Sequence, residues 1–302
     1  GVLKSALEFE THDMVGIGGK GIASRRVPEQ LRALEDYGLD GARLVEISKA
    51  VAKVDSAGVQ DGYQLYHHLF FVDAQETWTV VQQGLNPKNN DARRYHWSAE
   101  ETRSYIDEPH TGLISGQISD GALDMTSKLS DECRRVSIDI IKEDPARIRR
   151  YFEDLKSYGE STLIPWLDDN GKSITLPSYK VIPTRMDWNA VRRAYETQPE
   201  DYEQLLLMDG VGPATVRGLS LISEMIFGTP PSWSDPVRMC FAFGGKDGVP
   251  FPVPRKDYDK AIEFMEQALN DAKMGRREKV QGLERLRNFA PPILRNMQVS
   301  AK

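Results

Sequence analysis

At 302 residues the chain is long enough for two domains or one large one, with a well-buried core. Its two cysteines, Cys133 and Cys240, exclude a disulfide framework, a thiolate zinc site and a four-cysteine iron–sulfur cluster; no metal or other cofactor is expected. The net charge of -6 argues against a surface coated in phosphate-binding groups, but it leaves room for a local basic patch.

No apolar run approaches the roughly 20 residues of a membrane span, and Gly1 to Phe9 lack the basic start and apolar block of a secretory signal. The expectation is a cytoplasmic protein with no membrane partner. Because the chain opens on Gly1 rather than Met, a fragment or a processed product is expected. The composition carries no information on oligomeric state.

In chain order, a glycine-rich turn is predicted at Gly16 to Gly21, followed by helices from Pro28 to about Tyr37 and from Gly41 to Val51. Tyr63 to Val72 and Thr77 to Gln83 are rich in β-branched and aromatic residues around a polar Asp73 to Glu76, which predicts a β-hairpin. Strict alternation puts Tyr63, Leu65, His67, Leu69 and Phe71 on one face and Gln64, Tyr66, His68 and Phe70 on the other. His67, aligned with Leu65 and Leu69, is the expected core histidine. Asn86 to Tyr95 is predicted as an exposed polar loop. Helices are expected at Asp131 to Ile141, at Asp144 to Tyr158 with Pro145 in its first turn, and from Asp187 to the C-terminus with breaks at Gly/Pro clusters. Between them, Asp168 to Lys180 is expected as a loop with a short extended piece.

The expected fold class is α+β: an α/β domain over 1–125 with a β-hairpin or small sheet, then a helical domain over 126–302.

The motif with the most chemistry is Leu205 to Val216, where Gly210 and Gly212 bracket Val211 between two helical stretches, within a helical pair over 199–227. Gly210 can take the positive φ that ends the first helix, and Pro213 suits the first turn of the next. Such a turn presents backbone N–H groups at a helix N-terminus, where a phosphate oxygen is held by hydrogen bonds and the helix dipole. Gly210, Val211, Gly212, Ala214, Thr215 and Arg217 are the candidate DNA-binding residues, and DNA is the expected partner. The alternative is a plain tight corner between core helices.

A second constellation gathers near the β-hairpin. Lys20, Arg25, Gln60, Asp61, Gln64, Tyr66, His68, Gln82, Arg93 and Arg94, with Trp233 and Lys246, are candidates for a pocket holding a base or a phosphate. The alternative is the solvated face of a half-buried sheet. The basic clusters, Lys20 with Arg25 and Arg26, Arg93 with Arg94, Arg134 with Arg135, and Arg147, Arg149 and Arg150, are each expected to be a solvated helix face rather than a nucleic-acid footprint.

The Leu205 to Val216 motif, with Gly228-Thr229-Pro230-Pro231-Ser232-Trp233-Ser234-Asp235-Pro236 after it, resembles the helix-hairpin-helix DNA glycosylase superfamily. The resemblance implies that Asp235 is the catalytic aspartate, stabilising positive charge on the sugar as a flipped-out base departs. Strand-cutting members carry a lysine where this chain has Ala214, so base removal without strand cleavage is implied. The implied function is that of a monofunctional DNA repair enzyme hydrolysing the N-glycosidic bond of a damaged or mismatched base. Asp235 before Pro236 is also an ordinary helix cap. The competing readings are a nuclease with its active site in the front half, using Asp61, Asp73 and Glu76, and a non-catalytic DNA-binding protein.

Over nearly its whole length the chain also resembles the family called domain of unknown function 763. The residues that carry this are Gly18 to Gly21, Val59 to His68, Val80 to Gly84, Ala92 to Trp97, the Gly210–Gly212 turn, Pro231 to Trp233 and Phe243 to Gly248. Members usually have a further segment before the position of Gly1, which agrees with a truncated chain. The family name implies no activity.

Overall fold

The computed structural model describes residues 14–88, 90–115, 118–119, 121–160, 166–167, 173–174, 181–237 and 263. Strand β1 (Met14–Lys20) leads into two short helices, α1 (Ile22–Arg25) and α2 (Val27–Arg32), the second tightening into a 3-10 turn that ends at Tyr37. Helix α3 (Gly41–Lys53) runs through a π turn at Val54–Gly58 into β2 (Val59–Gln60). Strands β3 (Gln64–Asp73), β4 (Trp78–Leu85), β5 (Ala92–Ser98), β6 (Gly112–Ile114) and β7 (Leu123–Asp124) follow. Next come helices α4 (Asp131–Ile141) and α5 (Pro145–Glu160), and the paired dipeptide strands β8 (Trp166–Leu167) and β9 (Ser173–Ile174). Helices α6 (Trp188–Thr197), α7 (Tyr202–Leu207) and α8 (Pro213–Met225) complete the described elements. The fold is α+β, with an antiparallel sheet in the order β1-β3-β4-β5-β6 and a separate β2-β7 pair. None of the described helices is long and apolar enough to cross a membrane.

Helices α3, α6 and α7 start where a side chain accepts free N–H groups. Asp40 accepts from Arg43 N, Asp187 from Asn189 N and Ala190 N, and Asp201 from Gln204 N. Helices α1, α2, α4 and α8 have no capping side chain, and Gly212 stands at the N-cap of α8.

The covered face of the sheet carries an apolar row followed by a polar one. Ile17, Phe70, Val80 and Trp97 stand side by side across β1, β3, β4 and β5, all buried. The next row on the same face is Gly19, His68, Gln82 and Tyr95. One apolar cluster runs from Ile17 to Ile222, so the change from strands to helices near residue 125 brings no break in the core.

Three expectations change. The glycines at 16–20 lie in strand β1 rather than in a turn, because β1 is an edge strand crowded by α2. Residues 92–95 belong to β5 rather than to a loop, with Arg93, Tyr95 and Trp97 pointing inward and Arg94 exposed. The buried histidine of β3 is His68, not His67. A bulge between Leu65 and His67 inserts one residue against β4 and reverses the phase of the strand, so Tyr63 is covered before it and His68, Phe70 and Val72 after it. The expected helices beyond residue 237 and the Phe243 to Gly248 string lie outside the described residues.

Gly18 is the tightest point of the sheet. It has φ of 101°, and a methyl there would sit 2.3 Å from the His68 carbonyl oxygen and 2.7 Å from Val27 Cγ2. Gly18→Ala should destabilise the protein by at least about 2 kcal/mol, through φ strain and the backbone clash together. Urea denaturation with an unchanged m-value would check this.

Candidate nucleic-acid interface

Helices α7 and α8 are joined by a turn whose geometry depends on the first of its two glycines. Gly210 has φ of 83°, which favours glycine, and a Cβ there would lie 2.5 Å from Arg193 Nη2 and 3.1 Å from Ala190 Cβ, displacing the end of the Arg193 side chain. Arg193 Nη2 donates to the Asp209 carbonyl at 2.8 Å and holds the turn against α6. Gly212 differs: its φ of -108° and ψ of -175° suit any residue, and a Cβ there would meet nothing within 4 Å. Open space therefore faces the start of α8.

That space is a cleft of about 790 Å³ lined by Arg185, Asn189, Gly212, Ala214 and Thr215 among others. The backbone N–H groups of Gly212, Ala214 and Thr215 have no acceptor among the described residues. The remaining turn residues do less. Val211 is buried and its N–H donates to the Met208 carbonyl, while the Thr215 side chain is covered.

Arg217, one turn into α8, faces away from this cleft and toward the front half. Its Nε donates to Gln60 Oε1 at 2.8 Å, and its guanidinium lies 5.5 Å from the Trp233 ring centroid. Gln60 Nε2 in turn donates to the Pro213 carbonyl at 2.9 Å, which ties β2 to the first turn of α8. Burial lowers the Arg217 pKa from its ordinary value.

The neighbouring Asp61 opens a buried ionic network. Arg93, whose side chain is 0% exposed, donates from Nη1 to Asp61 Oδ2 at 2.8 Å and to Asp235 Oδ1 at 3.0 Å, and from Nη2 to Asp235 Oδ2 at 2.7 Å. Tyr95 Oη donates to Asp61 Oδ2, and Tyr63 N to Asp61 Oδ1. Both oxygens of Asp235 are further occupied by backbone donors, Val237 N on Oδ1 and Ser119 N on Oδ2. Burial works against the Arg93 charge, but the Asp235 hydrogen bond and the charges of Asp61 and Asp235 outweigh it and hold the pKa above its ordinary value. Asp235 therefore sits in a bidentate ion pair with its side chain 1% exposed. Its residue borders a cavity of about 220 Å³ that also touches Glu108, His110 and Asp124.

The pocket candidates thus separate into two places. Gln60, Asp61, Arg93 and Trp233 join Arg217 and Asp235 beside α8. Arg25, Tyr66, His68 and Gln82 line a different cavity between α3 and the sheet, with Lys20 lying 5.5 Å from the Tyr66 ring centroid. Gln64 and Arg94 are exposed on the sheet, and Lys246 lies outside the described residues.

The carboxylates considered for a nuclease are not brought together. Asp61 is bound to Arg93, Asp73 Oδ1 accepts from Gln75 N and Thr77 N at the hairpin tip, and Glu76 pairs with Arg43. No group of three or more metal-ligating side chains with suitable geometry occurs among the described residues. Of the basic clusters, Arg134 is buried against the Met125 and Ser127 carbonyls, and Arg135 and Arg147 pair with Asp131 and Glu143.

Sequence reasoning missed Ser48, Asp55 and His110. Asp55, fully buried in the π turn, accepts from Gln82 Nε2 and Trp97 Nε1 and bonds His110 Nε2. An acid between Val54 and Ser56 was the available signal, but it points to no partner.

Arg93→Met should cost roughly 3–5 kcal/mol, because it leaves Asp61 and Asp235 buried without a counter-charge. Adding Asp235→Asn and Asp61→Asn to that variant should restore part of the loss. Chemical denaturation of the single and triple variants checks the coupling; equal stabilities would refute it.

No curated protein and no solved structure matches the chain. The model of the family described as "Protein of unknown function (DUF763)" matches residues 1–253. That match covers most of the chain, which therefore belongs to this family.

Proposed function

We propose that the protein binds the sugar–phosphate backbone of DNA at the Gly210–Gly212 turn. The observation that carries this reading is the uncapped start of α8, where the N–H groups of Gly212 and Ala214 face an open cleft. A phosphate oxygen there gains hydrogen bonds and the positive end of a 13-residue helix. Arg185 on the cleft wall adds a positive charge. The carboxylate on that wall, Asp187, is engaged at the start of α6. Contacts of this kind position a protein on a backbone without reading its sequence. A small footprint also agrees with the net charge of -6, since repulsion elsewhere limits the contact.

Base removal through Asp235 gains no support from this geometry. A carboxylate that accepts from Arg93, Ser119 and Val237 has no free oxygen for a water or a developing sugar cation unless the ion pair opens. The proposal therefore stops at binding.

Two substitutions two residues apart separate binding from folding. Gly212→Ala is compatible with the backbone and costs at most about 1 kcal/mol, the scale of a lost N-cap preference, but puts a methyl where the phosphate approaches. It should weaken duplex DNA binding about tenfold in fluorescence anisotropy at 50 mM salt, the scale of one lost charge-assisted hydrogen bond. Gly210→Ala should instead lower the melting temperature. Wild-type binding should weaken as salt rises. A wild-type protein that binds neither double- nor single-stranded DNA at 50 mM salt would sink the proposal.

A further inference from the structure

Through the sheet's polar row runs a hydrogen-bonded relay that the DNA reading does not use. Ser48, on the buried side of α3, places Oγ 3.0 Å from His68 Nε2. His68 Nδ1 lies 3.0 Å from Oε1 of its cross-strand partner Gln82, and Gln82 Nε2 donates to Asp55 Oδ2. The chemistry of these atoms sets the protons. The Asp55 carboxylate accepts, so the amide nitrogen of Gln82 faces it and the amide oxygen faces His68. That oxygen also accepts, so the His68 proton sits on Nδ1. Nε2 is left with a lone pair directed at the Ser48 hydroxyl, which donates to it.

The relay ends in a cavity rather than in packed core. Ser48, His68 and Gln82 line a space of about 240 Å³, together with Arg25 and Lys49. Neither cation has an ion-pair or hydrogen-bond partner for its side chain among the described residues. Pro28, Ala52 and Leu65 supply apolar wall. The volume lies below the roughly 300–1,000 Å³ of drug-sized sites, which limits an occupant to a small molecule.

We propose that Ser48 is a nucleophile with His68 as its general base, and that the cavity hydrolyses short-chain carboxylic esters. Ser48 Oγ bonds to the ester carbonyl carbon while its proton passes to His68 Nε2 and the carbonyl electron pair moves onto oxygen, facing Arg25 and Lys49. Collapse re-forms the carbonyl and breaks the bond to the alcohol oxygen, and the alcohol leaves with the proton from His68. Water then attacks the acyl group on Ser48 with His68 again as base, releasing the carboxylic acid and returning the proton to Ser48. Gln82 is a positioning residue that holds His68 in the tautomer the first step requires, and Asp55 fixes the Gln82 amide. Burial lowers the His68 pKa, so the imidazole is neutral and able to accept at pH 7.

The full chain would be treated with a fluorophosphonate probe and, separately, with p-nitrophenyl acetate. The expected result is a phosphonyl adduct on Ser48 by peptide mass spectrometry and steady ester turnover. Ser48→Ala should lose both. His68→Gln should lower kcat at least about 100-fold, and Gln82→Ala should lower kcat with KM unchanged, each with a wild-type circular dichroism spectrum. Absence of the adduct from the folded wild-type protein overturns the proposal without reference to any variant, as does an adduct instead on Ser24, which borders the same cavity. Turnover of bis(p-nitrophenyl) phosphate with none of the ester overturns the substrate class.

Discussion

A guanidinium with no exposed surface constrains much of this molecule. Arg93 reaches the covered face of the sheet because β5 alternates, and a charge buried there requires counter-charges with well-aligned hydrogen bonds. One comes from Asp61, just past β2, and the other from Asp235, 142 residues further along the chain. Because Asp235 is held in two-point contact, the segment from Ser232 to Val237 is fixed against the sheet. Asp124 N donates to the Ser232 carbonyl, and the Trp233 ring next in line meets Arg217. The front sheet and α8 are therefore joined by ionic and hydrogen-bonded contacts as well as by the shared apolar core.

The same covered face also explains why two potential sites are separate. Its rows run from apolar, with Trp97, through polar, with His68, Gln82 and Tyr95, to ionic, with Arg93. Asp55 stands beneath the polar row and gathers Gln82, Trp97 and His110 around one carboxylate. Toward α3 the polar row opens on the cavity that holds Ser48. Toward α8 the ionic row closes on Asp235. Residues that look like one polar patch in the sequence thus serve opposite ends of a single layer.

The α8 turn shows how local rules can leave a function open. Its two glycines have different work: Gly210 is required by its positive φ, whereas Gly212 is not. A glycine that the fold does not need, at an uncapped helix start beside a cleft, is the feature on which the proposed backbone contact rests. Asp235 shows the reverse. Its spacing from the turn resembles a catalytic position, while its carboxylate is engaged by Arg93, Ser119 and Val237.

What the sequence determined by itself is the local structure. Helices over 131–141, 145–160 and 188–197, the strand pair over 64–85 and the turn at Gly210–Gly212 follow from caps, periodicity and turn residues, all of which act within a few positions. The phase of β3 was not legible, because a bulge between Leu65 and His67 depends on the partner strand and exchanges His67 for His68 as the buried histidine. Strand β1 was hidden by its glycines, of which Gly18 is required by its positive φ and by the close approach of the His68 carbonyl. The pairing of Arg93 with Asp235 and of Ser48 with His68 was decided only by tertiary structure. Their partners are 142 and 20 residues apart, and the orientation of each side chain depends on which face its strand or helix turns toward the core.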